Sequence, residues 1–298
     1  MATLLVVKLG ALGDLLLADG ALRDLRAYHA GERIVLLTRR PFAAMMARCP
    51  WVDEVIADDN APRWRLDRML SLARRLRGIG ASRVVDLQNS RRSAFYRHWL
   101  LPRAQWCGGE RASGRGARAT PVLERHAAQL AACGVPVAHA RAPRPDWLAT
   151  PLPAALEERL RSPFAVLLPG SSARHPGKRW PHYAELARLL QLRGLRVFSA
   201  PGPDEMAALD AMPGEPLLDG GRPLTIPQLA CLLPRAACIF GNDSGPTHLA
   251  AHLGCRGVAV FGPGPAPWQT GIVRERFAAI VGDPLAALDA NRVLAALP

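Results

Sequence analysis

Lysine is nearly missing from this chain. Of its 38 basic residues only Lys8 and Lys178 are lysines, and each stands in a glycine-containing turn between an apolar run and a helical stretch. A compact ammonium suits a phosphate site where a planar guanidinium fork does not fit. Long apolar runs are missing too. None reaches the roughly 18 residues of a membrane-spanning helix. The apolar part of M-A-T-L-L-V-V-K-L-G is too short for a secretory leader and leads straight into a strand-like run, so a cytoplasmic protein is expected. The six cysteines (Cys49, Cys107, Cys133, Cys231, Cys238 and Cys255) show no C-x-x-C spacing and read as reduced core thiols. No D-x-D occurs and the histidines are dispersed, so neither a metal nor a cofactor is expected. A G-x-S-x-G elbow and a catalytic Cys/His pattern are absent as well. So are an aromatic-basic platform and a helix-turn-helix, which argues against nucleic acid.

The positive charge that is present is lopsided. Residues 1–150 hold 24 Arg or Lys against 13 Asp or Glu, a net of +11, whereas residues 151–298 hold 14 against 12, a net of +2. Arginine loaded onto solvated faces explains part of the excess but not its asymmetry. A basic first half points to a polyanionic partner: a phosphorylated glycan or an anionic membrane face fits, as nucleic acid would on charge alone.

Apolar runs alternate with helical stretches, so the class is α/β. Cys238–Pro265 is the most telling segment. Its apolar run ends at Phe240, Gly241-Asn242-Asp243-Ser244-Gly245-Pro246 turns the chain, a helix follows to Leu253, and Gly257–Phe261 is a second buried strand. The turn sets Asp243, Ser244, Gly245 and His248 at a helix N-terminus, which carries roughly half a positive charge and unpaired N–H donors and so suits a diphosphate. Ordinary capping by Asp243 or Ser244 is the competing use. Phe164–Leu168 leads similarly into Pro169-Gly170-Ser171-Ser172 and then Lys178, a phosphate cradle in composition but not a P-loop. Arg196–Ala200 ends at Asp204-Glu205, where a carboxylate binds a ribose or caps the next helix.

In the first half, Leu4–Leu9 carries Lys8 and closes in Gly10-Ala11-Leu12-Gly13-Asp14, which is not G-x-G-x-x-G, with one helix expected to about Ala30. Asp14 is a general-base candidate or a plain cap. Arg83–Leu87 delivers Gln88, Arg91 and Arg92 to the same carboxyl edge, where paired arginines hold a carboxylate or phosphate, or form a surface charge pair. Pro102–Thr120, with Arg103, Arg111, Arg115 and Arg118, reads as a mobile basic loop. Pro136–Pro153 reads as the linker between domains 1–150 and 151–298.

Four segments then resemble glycosyltransferase family 9, the lipopolysaccharide heptosyltransferases: V-V-K-L-G-A-L-G-D-L-L-L, P-G-S-S-A-R-H-P-G-K-R-W-P, L-T-I-P-Q-L-A, and G-N-D-S-G-P-T-H-L-A-A-H-L-G followed by V-F-G-P. They stand in the family's order across nearly the whole chain. Asp19-Gly20 departs from it, where many members carry proline, and Ser90–Thr120 matches no member closely. The resemblance implies a GT-B fold: two Rossmann-like domains, the first for the acceptor and the second for the nucleotide sugar, with a ligand cleft between them. It implies inverting, metal-independent transfer from a nucleotide-diphosphate sugar, ADP-heptose above all, to an anionic lipid-linked glycan, with peripheral contact at the inner membrane face. Asp14 is then the catalytic base. The donor-binding set is Ser171, Ser172, Lys178, Glu205, Leu224, Asp243, Ser244, Gly245 and His248. The acceptor-side candidates are Lys8, Gly13, Gln88, Arg91 and Arg92. Another nucleotide sugar or acceptor, a sugar-nucleotide epimerase on the same plan, and a basic nucleic-acid module are the alternatives.

Overall fold

The computed structural model describes residues 2–108, 120–171 and 176–298. The chain divides into two compact units, Met1–Trp147 and Leu148–Pro298. No described helix is long and apolar enough to cross a membrane.

The first unit is built on five parallel strands: β1 (Thr3–Val7), β2 (Arg33–Arg39), β3 (Glu54–Asp58), β4 (Arg83–Asp86) and β5 (Gln105–Gly108), in the order β3-β2-β1-β4-β5. T-L-L-V-V is buried at all five positions, because a central parallel strand is covered on both faces. Alternate residues therefore feed two cores. Leu4 and Val6 pack with Leu22, Leu25, Leu36 and Leu130, while Leu5 and Val7 pack with Val35, Leu37, Leu76 and Tyr96. The first core lies under the helices Asp19–Tyr28 and Val122–Ala132, the second under Leu66–Gly78 and Tyr96–Leu100. β2 and β4 flank β1, so the strand order reverses between β1 and β4. Ligands of open α/β sheets bind at the carboxyl ends of such strands.

The second unit repeats the plan with six parallel strands: β6 (Phe164–Leu168), β7 (Arg196–Ser199), β8 (Glu215–Pro216), β11 (Cys238–Asn242), β12 (Gly257–Phe261) and β13 (Phe277–Val281), in the order β13-β12-β11-β6-β7-β8. The short antiparallel pair β9 (Leu218–Asp219) and β10 (Arg222–Pro223) lies apart from that sheet. Here the order reverses between β6 and β11.

Several expectations are corrected. The first helix is two, Leu12–Leu17 and Asp19–Tyr28, hinged at Ala18. Gln105–Gly108, read as loop, is an edge strand whose four residues are too few to show a period. The rest of that expected basic loop, 109–119, lies outside the described residues. The cysteines are not all reduced: Cys107 on β5 is bonded to Cys133 at the end of the helix Val122–Ala132, their Cα atoms 6.0 Å apart. A separation of 26 residues with no motif around either thiol hides that pairing in the sequence.

The proline-rich segment is also no free linker before Trp147. Buried Asp24 accepts backbone N–H bonds from Ala138, His139 and Ala140 at 2.9–3.2 Å. Asp19 accepts from the backbone N–H of Arg144 and from the indoles of Trp51 and Trp147. Gly20 is required by this close approach, since a Cβ there would stand 2.1 Å from the carbonyl oxygen of His139. The departure at Asp19-Gly20 is thus a strap for the segment that closes the first unit.

Candidate active site

At the β1/β4 edge the chain leaves β1 through Lys8 and enters the helix Leu12–Leu17. Gln88, just beyond β4, clamps that turn: its Oε1 accepts the N–H groups of Leu9 and Gly10 at 2.9 and 3.0 Å. Two carboxylates serve this edge and their surroundings separate them. Asp86 is fully buried, and its Oδ1 accepts the N–H groups of Gln88 and Asn89 at 2.9 and 3.0 Å. Burial pushes its carboxyl up, against hydrogen bonds from Ser93, Asn89 and Gln88 and the charge of Lys8. Asp14, in the first helical turn beside Gly13, is half-exposed and accepts the N–H of Ala11 at 3.1 Å. Capping therefore uses one oxygen of Asp14, and of the two carboxylates it is the one that reaches solvent.

Lys8 lies beneath. Its side chain is buried and its Nζ donates to the carbonyl of Leu87 at 3.0 Å, with His126 Nε2 at 3.3 Å. Burial lowers its pKa, the charges of Asp14 and Asp86 work against that, and Arg125 adds to the lowering. Burial, followed by the charge of Lys8, holds His126 well below the usual imidazole range, so the ring is neutral and Nε2 is the acceptor. Arg92 is likewise committed inside the unit. Its Nε and Nη2 both donate to the buried carboxylate of Asp58 at 2.8 Å, and Nη1 donates to the carbonyl of Ala61. Lys8 and Arg92, singled out as acceptor contacts, thus face protein groups, because a buried cation takes the partners the fold supplies. Arg91 is exposed.

At the β6/β11 edge the polarity is reversed. Asp243, one residue past β11, is mostly buried, and it pairs with the Lys178 ammonium and with His248 Nε2, the latter at 3.4 Å. Burial alone would raise the Asp243 carboxyl, but hydrogen bonds from His248 and Lys178 outweigh it and hold the group below the usual carboxylate range. Lys178 keeps 39% of its side chain exposed. Ser244 stands at the N-cap of the helix Gly245–His252 without capping it, its Oγ 3.1 Å from the hydroxyl of buried Thr247. The first-turn N–H groups of such a helix have no partner within it.

Glu205 is fixed between two glycines. Its Oε2 accepts the N–H of Gly202 at 2.8 Å, its Oε1 accepts from Arg179 at 3.0 Å, and a Cβ on Gly170 or Gly202 would come within 2.5 or 2.7 Å of Oε2. Asp204 beside it is exposed. Arg179 also donates to the carbonyl of buried Ser171 at 3.3 Å, which ties the β6 turn to the β7 turn. Leu224 is buried just ahead of Thr225, which caps the helix Ile226–Leu232 through a reciprocal pair with Gln228. Ser172 lies outside the described residues.

One organising residue was missed. Asn242, fully buried at the end of β11, accepts from the backbone N–H of Trp180 and the hydroxyl of Tyr183, both at 3.1 Å, and donates to the carbonyl of Pro169 at 2.6 Å. It thereby holds the Lys178 segment against the β6 turn. The signal was its place inside G-N-D-S-G-P, next to the carboxylate that drew attention. Within the second unit, then, an ammonium, a paired carboxylate, an imidazole and a helix N-terminus converge at the strand reversal, with a second carboxylate held at the neighbouring turn.

The model of glycosyltransferase family 9 (heptosyltransferase) matches residues 69–285. No curated protein matches the chain. Among solved structures, the chain is similar to E. coli heptosyltransferase WaaC with ADP-2-deoxy-2-fluoro heptose (19% identity, 98% of each chain covered, TM-score 0.74). It is also similar to E. coli ADP-heptose lps heptosyltransferase II (23%, 99% of this chain and 97% of that one, TM-score 0.72). A third is a family 9 glycosyl transferase from Veillonella parvula (18%, 99% and 95%, TM-score 0.75). These likenesses establish the GT-B fold with its two Rossmann-like units.

Proposed function

The chain belongs to glycosyltransferase family 9, the heptosyltransferases, and from that premise we propose that it transfers heptose from ADP-heptose, with inversion, to a hydroxyl of a lipid-linked lipopolysaccharide core. The observation that carries the reading is the Lys178–Asp243–His248 cluster at the head of the helix Gly245–His252. The half-exposed ammonium and the helix N-terminus are the positive charge that a leaving diphosphate needs, with no metal ion called for. Two relatives support the donor: one is described with ADP-2-deoxy-2-fluoro heptose and another as an ADP-heptose enzyme.

Asp14 takes the proton of the acceptor hydroxyl as its oxygen attacks C1 of the sugar. The C1–O bond to the diphosphate breaks with its electron pair, and the new charge falls to Lys178, with Ser171 and Ser172 as hydroxyl partners. Attack opposite the leaving group inverts C1. Glu205 accepts from the ribose hydroxyls and Leu224 lies against the adenine. Lys8, Gln88 and Arg92 act through the structure: Gln88 holds the turn that carries Asp14, and Lys8 sets the field beneath it. Arg91 is left as the direct acceptor contact. The acceptor is an anionic glycan on a lipid anchor, reached from the cytoplasmic leaflet, which suits the basic first half.

Thermal-shift screening with ADP, UDP and GDP and their sugars tests the donor: stabilisation greatest with the ADP series is expected, and greatest with the UDP series would refute it. Conversion of the donor without acceptor would identify an epimerase instead.

A further inference from the structure

The outer helices of the first unit carry an unusual surface. Of the nine large hydrophobic residues exposed among those described, four lie here: Trp64 (79%), Leu66 (69%), Leu70 (55%) and Trp99 (70%). The helix Leu66–Gly78 already buries its core face through Met69, Leu72, Ala73 and Leu76. Leu66 and Leu70, one turn apart, therefore face out beside Arg74 and Arg77 on one stripe. The stripe is continuous with the helical segment that follows β4. The Arg63 guanidinium lies 5.8 Å from the Phe95 ring, Phe95 stacks on Trp99 at 6.4 Å, and Arg77 donates to the carbonyls of Trp99 and Leu100. Beyond Trp99 a groove of about 630 Å³ opens between Arg77 and Arg103, walled by Leu76, Leu100, Leu101 and Pro102. Six arginines in 61–78 and four in 91–103 stand against a single acid in those segments, Asp67, and of the ten Arg92 alone is turned inward to buried Asp58.

We infer that this face is a membrane-docking surface: Trp64, Leu66, Leu70 and Trp99 insert at the headgroup boundary of a bilayer, and the Arg77/Arg103 groove receives an anionic lipid headgroup. Exposed tryptophan and leucine on a helix lined with arginine is the composition of an interfacial element, in which burial of apolar side chains and attraction to anionic lipid add. The charge decides between occupants. A second copy of the chain would set Arg63, Arg74, Arg77 and Arg103 against their own counterparts in a self-complementary contact. Nucleic acid would satisfy the guanidiniums but leave two aliphatic side chains with nothing to enter. An anionic bilayer satisfies both. The inference rests on the reading of a lipid-anchored acceptor and gives that acceptor's enzyme its approach to the membrane, through helices distinct from the turn that holds Asp14.

The test is co-sedimentation of the full chain with phosphatidylcholine vesicles, with and without phosphatidylglycerol, alongside turnover on a delipidated core glycan in solution. Wild type is expected to sediment with the anionic vesicles and not with the neutral ones. W64S/W99S should abolish sedimentation while turnover on the soluble glycan persists. R74Q/R103Q, both at exposed positions, should weaken binding about fivefold per charge removed, the equivalent of roughly 1 kcal/mol for each arginine near an anionic surface. Circular dichroism and the ADP-induced thermal shift confirm that each variant is folded. Wild type that ignores anionic vesicles, variants that bind as wild type does, or a concentration-dependent dimer lost in W64S/W99S would each overturn the docking surface and leave the transferase reading intact. Vesicle binding without any nucleotide-sugar turnover would do the opposite.

Discussion

The two units answer the same topological problem with opposite charge. Each sheet reverses strand order beside its first strand, each places a lysine and an aspartate there, and these two lysines are all the chain has. In the first unit the lysine is inside and the aspartate reaches water: Lys8 is 4% exposed while Asp14 is half-exposed. In the second the lysine reaches out and the aspartate is drawn in beneath it, between Lys178 and His248. An exposed carboxylate is placed to meet a hydroxyl arriving from solution. An exposed cation backed by a buried carboxylate can hold a phosphate. The common fold supplies the place, and which member of the pair is buried supplies the chemistry.

Breaking the first half of that comparison gives the largest effect. Asp14→Ala should lower kcat by about 10²–10⁴-fold, the usual span for a lost general base, while calorimetry gives an ADP affinity within about twofold of wild type. Lys178→Ala should do the reverse, weakening ADP binding by roughly tenfold to a hundredfold, as expected when a charged hydrogen-bond donor worth about 1.5–3 kcal/mol is removed. Unchanged affinity in that variant would remove Lys178 from the phosphate site. Asn242→Ala sharpens the comparison by loosening the second edge without touching its charges. It strands the Trp180 N–H, the Tyr183 hydroxyl and the Pro169 carbonyl, so urea unfolding should show a loss of about 1–3 kcal/mol, accompanied by a raised KM for the donor.

The smallest effect is in the titration of stability. His126 in the first unit and His252 in the second are both buried and held well below 6.5, by burial first and then by neighbouring positive charge. Below pH 6.5 the unfolded chain takes up protons that the native chain refuses, so stability falls as pH drops, by up to about 1.4 kcal/mol per pH unit for each histidine. His126→Gln and His252→Gln should each flatten that slope between pH 6.5 and the native value, and an unaltered slope in either would show that its ring is protonated in the fold.

What the sequence made legible was local. Asp243-Ser244-Gly245-Pro246 could be read because the strand end, the turn and the helix start fall within a few residues, so chemistry and chain direction appear together. The alternation of apolar runs gave the α/β class for the same reason. What stayed hidden depends on partners far along the chain. Arg92 looked like half of an exposed pair with Arg91, but Asp58, 34 residues earlier, takes it inward. Asn242 reads as turn chemistry until Trp180 and Tyr183, about 60 residues away, arrive to share its amide. Asp19 and Asp24 look like ordinary helix acids, and only the fold brings residues 138–147 onto them. β13, F-A-A-I-V, went unread because a five-residue apolar run does not by itself tell a strand from a buried piece of helix.

Hydrogen exchange on adding ADP tests the division of labour most directly. Protection should appear at residues 170–171, 178–180 and 243–248 of the second unit, with residues 9–14 and 86–90 exchanging as before. Protection centred on the Asp14 turn, with none at the Asp243 turn, would contradict it.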